Sequence, residues 1–253
     1  MKNKKIFFSG IGGIGVSALA QYLYQKNYKI YGSDLIMNEN IDFLKKKCKL
    51  IFLKRQETKN INQNFDFLIY SPAILENNPE RIEVKKRKIK EYSYPEYLGE
   101  ISKEKYTIAI AGTNGKTTTT AMISELLIDQ KKKPTVIFGG ISQKFKSNFF
   151  YGESKYFVVE ACEYKNSFLN IYPNILIITN ITSDHLDFFG SFKKVIDSFV
   201  KLINNIKKDG FLICDINDIN LKRVILQAKK NKIGVIDYKK YNIKKINIAG
   251  EYN

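Results

Sequence analysis

Apolar residues fall into short runs separated by stretches with helical spacing. Residues 5–9 form a brief apolar run that ends in Gly10, and Val16, Leu19, Ala20 and Leu23 then recur on one helix face over 16–25. Residues 28–31 read as a second strand closed by Gly32-Ser33-Asp34, 41–47 as a helix, and 65–70 as a buried strand. This β-α-β-α-β alternation predicts a Rossmann-like parallel sheet with helices on its faces.

The stretch 80–105 is highly charged and contains Tyr92-Ser93-Tyr94-Pro95, and the domain junction is expected near its end. A strand at 106–111, a glycine loop and a helix at 116–130 begin a second α/β unit. Further apolar runs at 135–138, 156–160, 175–179, 211–214 and 233–236 continue it, with a helical pattern at 192–206. The expected division is 1–104 and 105–253: an N-terminal Rossmann-like domain, then a second, larger α/β domain. Neither an internal repeat nor a low-complexity linker interrupts them.

With 253 residues, 44% of them hydrophobic, the chain can build two modest cores, and its composition is that of a globular protein. The formal charge of +17 arises from 42 Lys+Arg against 25 Asp+Glu. The lysines lie in scattered runs such as Lys45-Lys46-Lys47 and Lys131-Lys132-Lys133, with no interleaved aromatics, so they read as compositional bias and no nucleic-acid partner is expected. A basic field also suits an anionic nucleotide. Cys48, Cys162 and Cys214 are odd in number, widely spaced and without metal-site spacing, which fits reduced thiols and a cytoplasmic location. No apolar run approaches the ~20 residues of a membrane span, and no signal-peptide pattern opens the sequence.

Two loops carry the chemistry. Gly10-Ile11-Gly12-Gly13-Ile14-Gly15 follows a strand and opens a helix, with Asp34 ending the next strand. One glycine makes the turn, the next admits a diphosphate to the backbone, and the third permits close packing, while the helix N-terminus favours the anion. The loop alone fits NAD(P), FAD or a UDP-sugar, or a tight turn with no ligand. The second loop, Gly112-Thr113-Asn114-Gly115-Lys116-Thr117-Thr118, also joins a strand to a helix. Its spacing is that of a shortened phosphate loop: N–H groups cradle phosphates, Lys116 supplies charge to the β/γ-phosphates, and Thr117 offers a hydroxyl to Mg²⁺. A nicotinamide oxidoreductase has no use for this second loop.

The shortened loop resembles the ATP loop of the Mur ligase and folylpolyglutamate synthetase superfamily. Val158-Val159-Glu160-Ala161-Cys162-Glu163 with Ser167-Phe168-Leu169 is similar to the Mur ligase segment that carries a metal-binding glutamate. Thr179-Asn180-Ile181 with Asp184-His185-Leu186-Asp187 resembles the family's T-N-I-x-x-D-H-x-D motif. Ser71-Pro72-Ala73-Ile74 with Asn78-Pro79-Glu80 resembles a segment near the UDP-sugar, and the opening glycine loop is similar to that of the alanine-adding members.

The resemblance implies an ATP-dependent ligase of peptidoglycan synthesis, with 105–253 as a P-loop α/β ATPase-type central domain, incomplete at its C-terminal end, behind the Rossmann-like UDP-sugar-binding domain. ATP phosphorylates the lactyl carboxylate of UDP-N-acetylmuramate, and L-alanine attacks the acyl phosphate. Its implied catalytic residues are Lys116, Glu160 and His185, with Thr117, Glu160 and His185 on Mg²⁺. Gly112, Thr113, Asn114, Gly115, Lys116, Thr117, Thr118 and Asn180 would meet ATP. Gly10, Gly12, Gly13, Ile14, Gly15, Asp34 and Ser71 would meet the UDP-sugar. His185, the chain's single histidine, would read alone as structural; its motif gives it a role on a metal or the acyl phosphate. Glu163 and Asp187 are expected behind the ligands. Gly139-Gly140 reads either as backbone near the muramoyl group or as a simple turn. Cys162, between two acids, is expected to have a raised thiol pKa and no reactive role.

Two departures qualify the resemblance. Asn114 stands where alanine-adding members usually carry histidine, and the chain ends near Gly250-Glu251-Tyr252-Asn253, which resembles a segment late in the family's central domain. The expectation is a fragment lacking the third domain, with a separately encoded C-terminal domain as a partner and poor ligation by this chain alone. A ligase that recycles murein peptide onto the same UDP-sugar, and a non-catalytic nucleotide-binding remnant, are the alternatives.

Overall fold

The computed structural model describes residues 4–240; the Gly250–Asn253 ending lies outside them. β1 (Lys5–Ser9) has Ile6, Phe7 and Phe8 buried on both faces, the pattern of a central parallel strand covered by helices. α1 (Ile14–Gln25) and β2 (Lys29–Ser33) follow as the spacing predicts. α2 (Glu39–Cys48) starts two residues before the expected helix, because Asn38 caps it by accepting the Ile41 N–H. β3 (Ile51–Leu53), at one edge of the sheet, and β4 (Phe67–Tyr70), beside β1, follow.

The charged stretch 80–105, read only as a junction, is ordered secondary structure. It contains α3 (Pro79–Lys86), β5 (Lys90–Ser93) and α4 (Tyr94–Glu104). The first sheet is wholly parallel, in the order β3-β2-β1-β4-β5. β1 lies between β2 and β4, so the chain leaves it at the point where strand order reverses.

The second sheet starts at β6 (Tyr106–Ala111), followed by α5 (Lys116–Asp129). β7 (Thr135–Ser142) continues as strand through Gly139-Gly140, with a shift of register between Ile137 and Ser142, so the pair is not a simple turn. β8 (Ser147–Phe150) returns antiparallel to β7, and β9 (Tyr156–Glu160) and β10 (Ile175–Ile178) flank β6 in parallel. A four-residue helix, α6 (Leu186–Phe189), leads to α7 (Phe192–Ile203), β11 (Phe211–Cys214), α8 (Lys222–Lys230) and β12 (Gly234–Asp237). The order is β12-β11-β10-β6-β9-β7-β8, and β6 occupies the reversal point of this sheet.

The two units share apolar packing. Leu19 and Leu23 of α1, Leu98 and Ile101 of α4, and Ile137 and Phe149 of the second sheet belong to one continuous buried cluster. Polar contacts cross the same boundary. Asn148 of β8 donates to the Ile14 carbonyl and to Ser17 Oγ, and accepts from Gln21 Nε2 at 3.0 Å.

Candidate active site

The C-terminal end of β1 delivers the first loop. Gly10 takes a left-handed φ of +76°, which lets the Gly10 and Ile11 N–H groups both point at the Ser33 carbonyl, 2.9 and 3.0 Å away. Asp34 Oδ2 accepts the Gly12 N–H at 2.8 Å, while the Asn38 and Asn40 amides donate to the Gly12 carbonyl. Asp34, expected to meet the UDP-sugar, thus also shapes the loop itself. Ser71, at the end of β4, lies beside Gly10 and Gly13. The third glycine serves a contact the sequence did not disclose: a methyl at Gly15 would fall 2.5 Å from the Tyr94 ring, so Gly15 admits α4 rather than a strand. Loss of hydration lifts the Tyr94 hydroxyl far above its ordinary pKa, with Cys162 and Glu160 adding to the effect. Tyr94 therefore touches the first loop and sits electrostatically close to the second.

Beneath the first loop is Glu80. It has no solvent exposure and accepts Ser9 Oγ at 2.5 Å, Ser33 Oγ at 2.7 Å and Asn60 Nδ2 at 2.7 Å. It ties together the ends of β1 and β2 that launch the loop. Loss of hydration raises its pKa, against the three hydrogen bonds.

β6 delivers the second loop at the reversal point of its own sheet. Gly112 and Gly115 take positive φ, +128° and +79°, and Gly115 caps α5. The loop is clamped from the end of β10. The Asn114 N–H donates to Asn180 Oδ1 at 3.0 Å, Asn180 Nδ2 donates back to the Asn114 carbonyl at 3.0 Å, and Thr179 Oγ1 donates to that carbonyl at 2.6 Å. The Asn180 amide, expected on the nucleotide, thus holds the loop that would bind it. Lys116 begins α5, and the amides of Thr117 and Thr118 lie in its first turn, where N–H groups lack intrahelical partners.

Two carboxylates face this helix start. Glu160 Oε2 accepts the Thr117 hydroxyl at 2.9 Å and the Gly139 N–H at 3.0 Å. A methyl on Gly139 would lie 2.7 Å from Glu160 Oε1, which is why glycine occupies this point of β7. Glu163, only 2% exposed, meets Lys116: Oε1 takes a hydrogen bond from Nζ at 3.1 Å, and Oε2 lies equally near without hydrogen-bond geometry. His185, at a left-handed φ of +50°, brings Nε2 to 4.0 Å from Glu163 Oε1 and 3.9 Å from Asp184 Oδ2, with its ring against Tyr164.

The structure thus assembles Gly10, Gly12, Gly13, Gly15, Asp34 and Ser71 around one loop. It assembles Lys116, Thr117, Glu160, Asn180 and His185 around the other. His185 stands with Glu163 and Asp184, and ligand atoms from these three lie within 4.8 Å of one another. Glu163, read as a residue behind the ligands, is central; Asp187, read likewise, is exposed on α6. The signal for Glu163 was its place three residues beyond the strand-ending Glu160, where the chain turns back under the loop. Cys162 does have a raised thiol pKa, but loss of hydration is the first cause and the flanking acids come after it.

Residues 5–106 match the Mur ligase family, catalytic domain, and residues 110–252 match the Mur ligase middle domain. The chain is 43% identical over 232 residues to the UDP-N-acetylmuramate–L-alanine ligase of Clostridium acetobutylicum, covering 91% of this chain and 50% of that protein. The same-named enzyme of Clostridium botulinum (strain Okra) is 41% identical over 235 residues, again across 50% of its length. The chain therefore spans about half the length of these curated relatives. The crystal structure of the UDP-N-acetylmuramate–alanine ligase of Thermotoga maritima superposes with a TM-score of 0.76 at 31% identity, covering 87% of this chain and 51% of that one. A Neisseria ligase, UDP-N-acetylmuramate:L-alanyl-γ-D-glutamyl-meso-diaminopimelate ligase, shares the fold with a TM-score of 0.81 at 20% identity, over 92% of this chain and 77% of that one. The chain belongs to the Mur ligase family.

Proposed function

We propose that this chain carries the UDP-sugar and ATP halves of an ATP-dependent ligase that joins L-alanine to UDP-N-acetylmuramate. The observation that carries the reading is the second loop with its two facing carboxylates: Thr117 on Glu160 at 2.9 Å and Lys116 on Glu163 at 3.1 Å. Phosphoryl transfer to a carboxylate demands positioning and neutralised charge more than a protein nucleophile. Identity of 41–43% to relatives named for alanine addition supports that branch despite Asn114.

In this reading the first loop and Ser71 receive the diphosphate of the UDP-sugar. Lys116 and the first-turn N–H groups of α5 receive the ATP phosphates. The lactyl carboxylate takes the γ-phosphoryl group, and the alanine amine then displaces phosphate to leave an amide. The oxygen donors present suit Mg²⁺: carboxylates and a hydroxyl, one carboxylate oxygen of Glu163 being buried without a hydrogen bond. Thr117 and Glu160 would hold one ion, and His185 with Glu163 would face a second. Such ions neutralise the charge of the transferring phosphoryl group. A further domain, on the same polypeptide or encoded separately, supplies the amino-acid site.

Calorimetric titration of the chain with UDP-N-acetylmuramate, with UDP-N-acetylglucosamine and NAD as controls, tests the assignment. Selective binding of the muramate is the expected result. Preference for NAD, or no binding by a folded chain, would sink it.

A further inference from the structure

An ammonium has three N–H donors, and three acceptors of this chain meet Lys116 Nζ: the Gly112 carbonyl at 2.6 Å, the Thr113 carbonyl at 3.0 Å and Glu163 Oε1 at 3.1 Å. A phosphate oxygen that reaches this nitrogen must replace one of them. The carbonyls belong to a loop fixed from outside, since the Thr113 N–H is bonded to the Asn180 carbonyl and Thr113 Oγ1 accepts the Thr182 N–H. Glu163 is the acceptor that charge makes incompatible with a phosphate, because two anions cannot share the lysine at that range without repulsion. Its second oxygen is buried and has no hydrogen bond, and removing the lysine would leave an uncompensated buried carboxylate. A replacement cation has a place to sit. The same carboxylate faces His185 and Asp184, with ligand atoms of the three within 4.8 Å of one another.

We propose that Glu163 is a positioning residue that competes with the nucleotide phosphates for Lys116 and yields the lysine when a divalent cation settles against Glu163, His185 and Asp184. Nucleotide affinity is thereby made conditional on the cation. The proposal rests on the nucleotide reading of the Gly112–Thr118 loop given above. It differs from a simple ligand role in one measurable respect. A carboxylate that only ligates the cation strengthens cation-dependent binding and leaves cation-free binding alone, whereas a competitor for Lys116 weakens cation-free binding.

The test is calorimetry of ATP with the full chain, once in EDTA and once in excess Mg²⁺, on wild type, Glu163→Gln and Glu163→Asp. Thermal melting shows that each variant is folded. Glu163→Gln is expected to bind ATP in EDTA about tenfold more tightly than wild type, and its Mg²⁺ enhancement should shrink by at least about tenfold. Glu163→Asp keeps the charge but withdraws it by one methylene, so its EDTA affinity should fall between the two. Wild-type affinity in EDTA for the Gln variant overturns the proposal. Should that variant not fold, wild-type EDTA affinity for the Asp variant overturns it equally. A wild-type chain that binds no ATP in either condition removes the nucleotide reading itself, and the proposal with it.

Discussion

Glu80 shows how much of this molecule's chemistry rests on single buried groups. It lies fully enclosed under the first loop, held by two serine hydroxyls and one asparagine amide, and still has a raised pKa because lost hydration outweighs the three bonds. The sign of the consequence follows. A carboxyl whose pKa is higher folded than unfolded binds its proton more tightly in the native state. Stability therefore falls as pH rises from the ordinary carboxylate value through the raised one, by about 1.4 kcal/mol for each unit between them. Glu80→Gln removes that titration; its single amide oxygen can still accept from Ser9 and Ser33, while its NH2 takes the place of the oxygen that Asn60 uses. Urea unfolding between pH 4.5 and 8 should show a declining arm in wild type that is flattened in the variant. A variant curve parallel to wild type would show that Glu80 does not titrate in this way. The sequence marked Glu80 only as part of a segment near the sugar. Its donors, Ser9 and Ser33, lie 71 and 47 residues away, so no local pattern could reveal that it is the brace under the loop.

At the scale of elements, β7 is informative because its glycines do different jobs. Gly139 lies beside the end of β9, where its N–H donates to Glu160 and its missing side chain leaves room for that carboxylate; an added methyl at Gly140 would meet nothing within 4 Å. Gly139→Ala should push aside the flexible end of Glu160 and leave the strand intact. Melting should change by no more than about 2–4 °C, the effect of a perturbation near 1 kcal/mol in a chain of this size. The Mg²⁺ enhancement of ATP binding should fall by about tenfold, while Gly140→Ala should match wild type in both. Equal behaviour of the two variants would detach Glu160 from the cation. The elements also show where sequence reading works. β6 and β9 fall where their apolar runs placed them, because a strand buried on both faces must be continuously apolar. α4 was missed, although Ser93 and Glu96 form a capping box with Pro95 in the first turn. Charge density on its solvent face hid a helix whose Leu98 and Ile101 are buried. The phosphate loop and Glu160 were legible because each sits at the end of a strand, and His185 because it is the single histidine, inside Asp184-His185-Leu186-Asp187. Glu163 was quoted but undervalued, because its partner Lys116 is 47 residues away and its burial depends on the turn after β9.

The molecule carries two loops, each at the reversal point of its own sheet, on two units that share one apolar core. A ligase that activates one substrate with another needs that relation to be fixed, since misplacement of about 1 Å can cost ~10²-fold in rate. Two contacts fix it here. Tyr94 packs on Gly15 from α4, and Asn148 reaches from the β7–β8 hairpin into the first turns of α1, the helix that the first loop opens. Asn148 is 4% exposed, and its amide donates to Ile14 and Ser17 and accepts from Gln21. Asn148→Ala would strand the Gln21 amide at a buried boundary, at a cost of about 1–3 kcal/mol, while the Ile14 carbonyl still accepts from Ser17 Oγ. The apolar packing between the units remains, so the chain should still fold. Its melting point should drop by about 2–4 °C per kcal/mol lost, and its two units should unfold less cooperatively. Calorimetric and van't Hoff enthalpies, which agree for a single transition, should diverge in the variant. If they stay equal and the melting point holds, the hairpin contact is incidental and the orientation of the loops rests on the Tyr94–Gly15 packing and the apolar boundary alone.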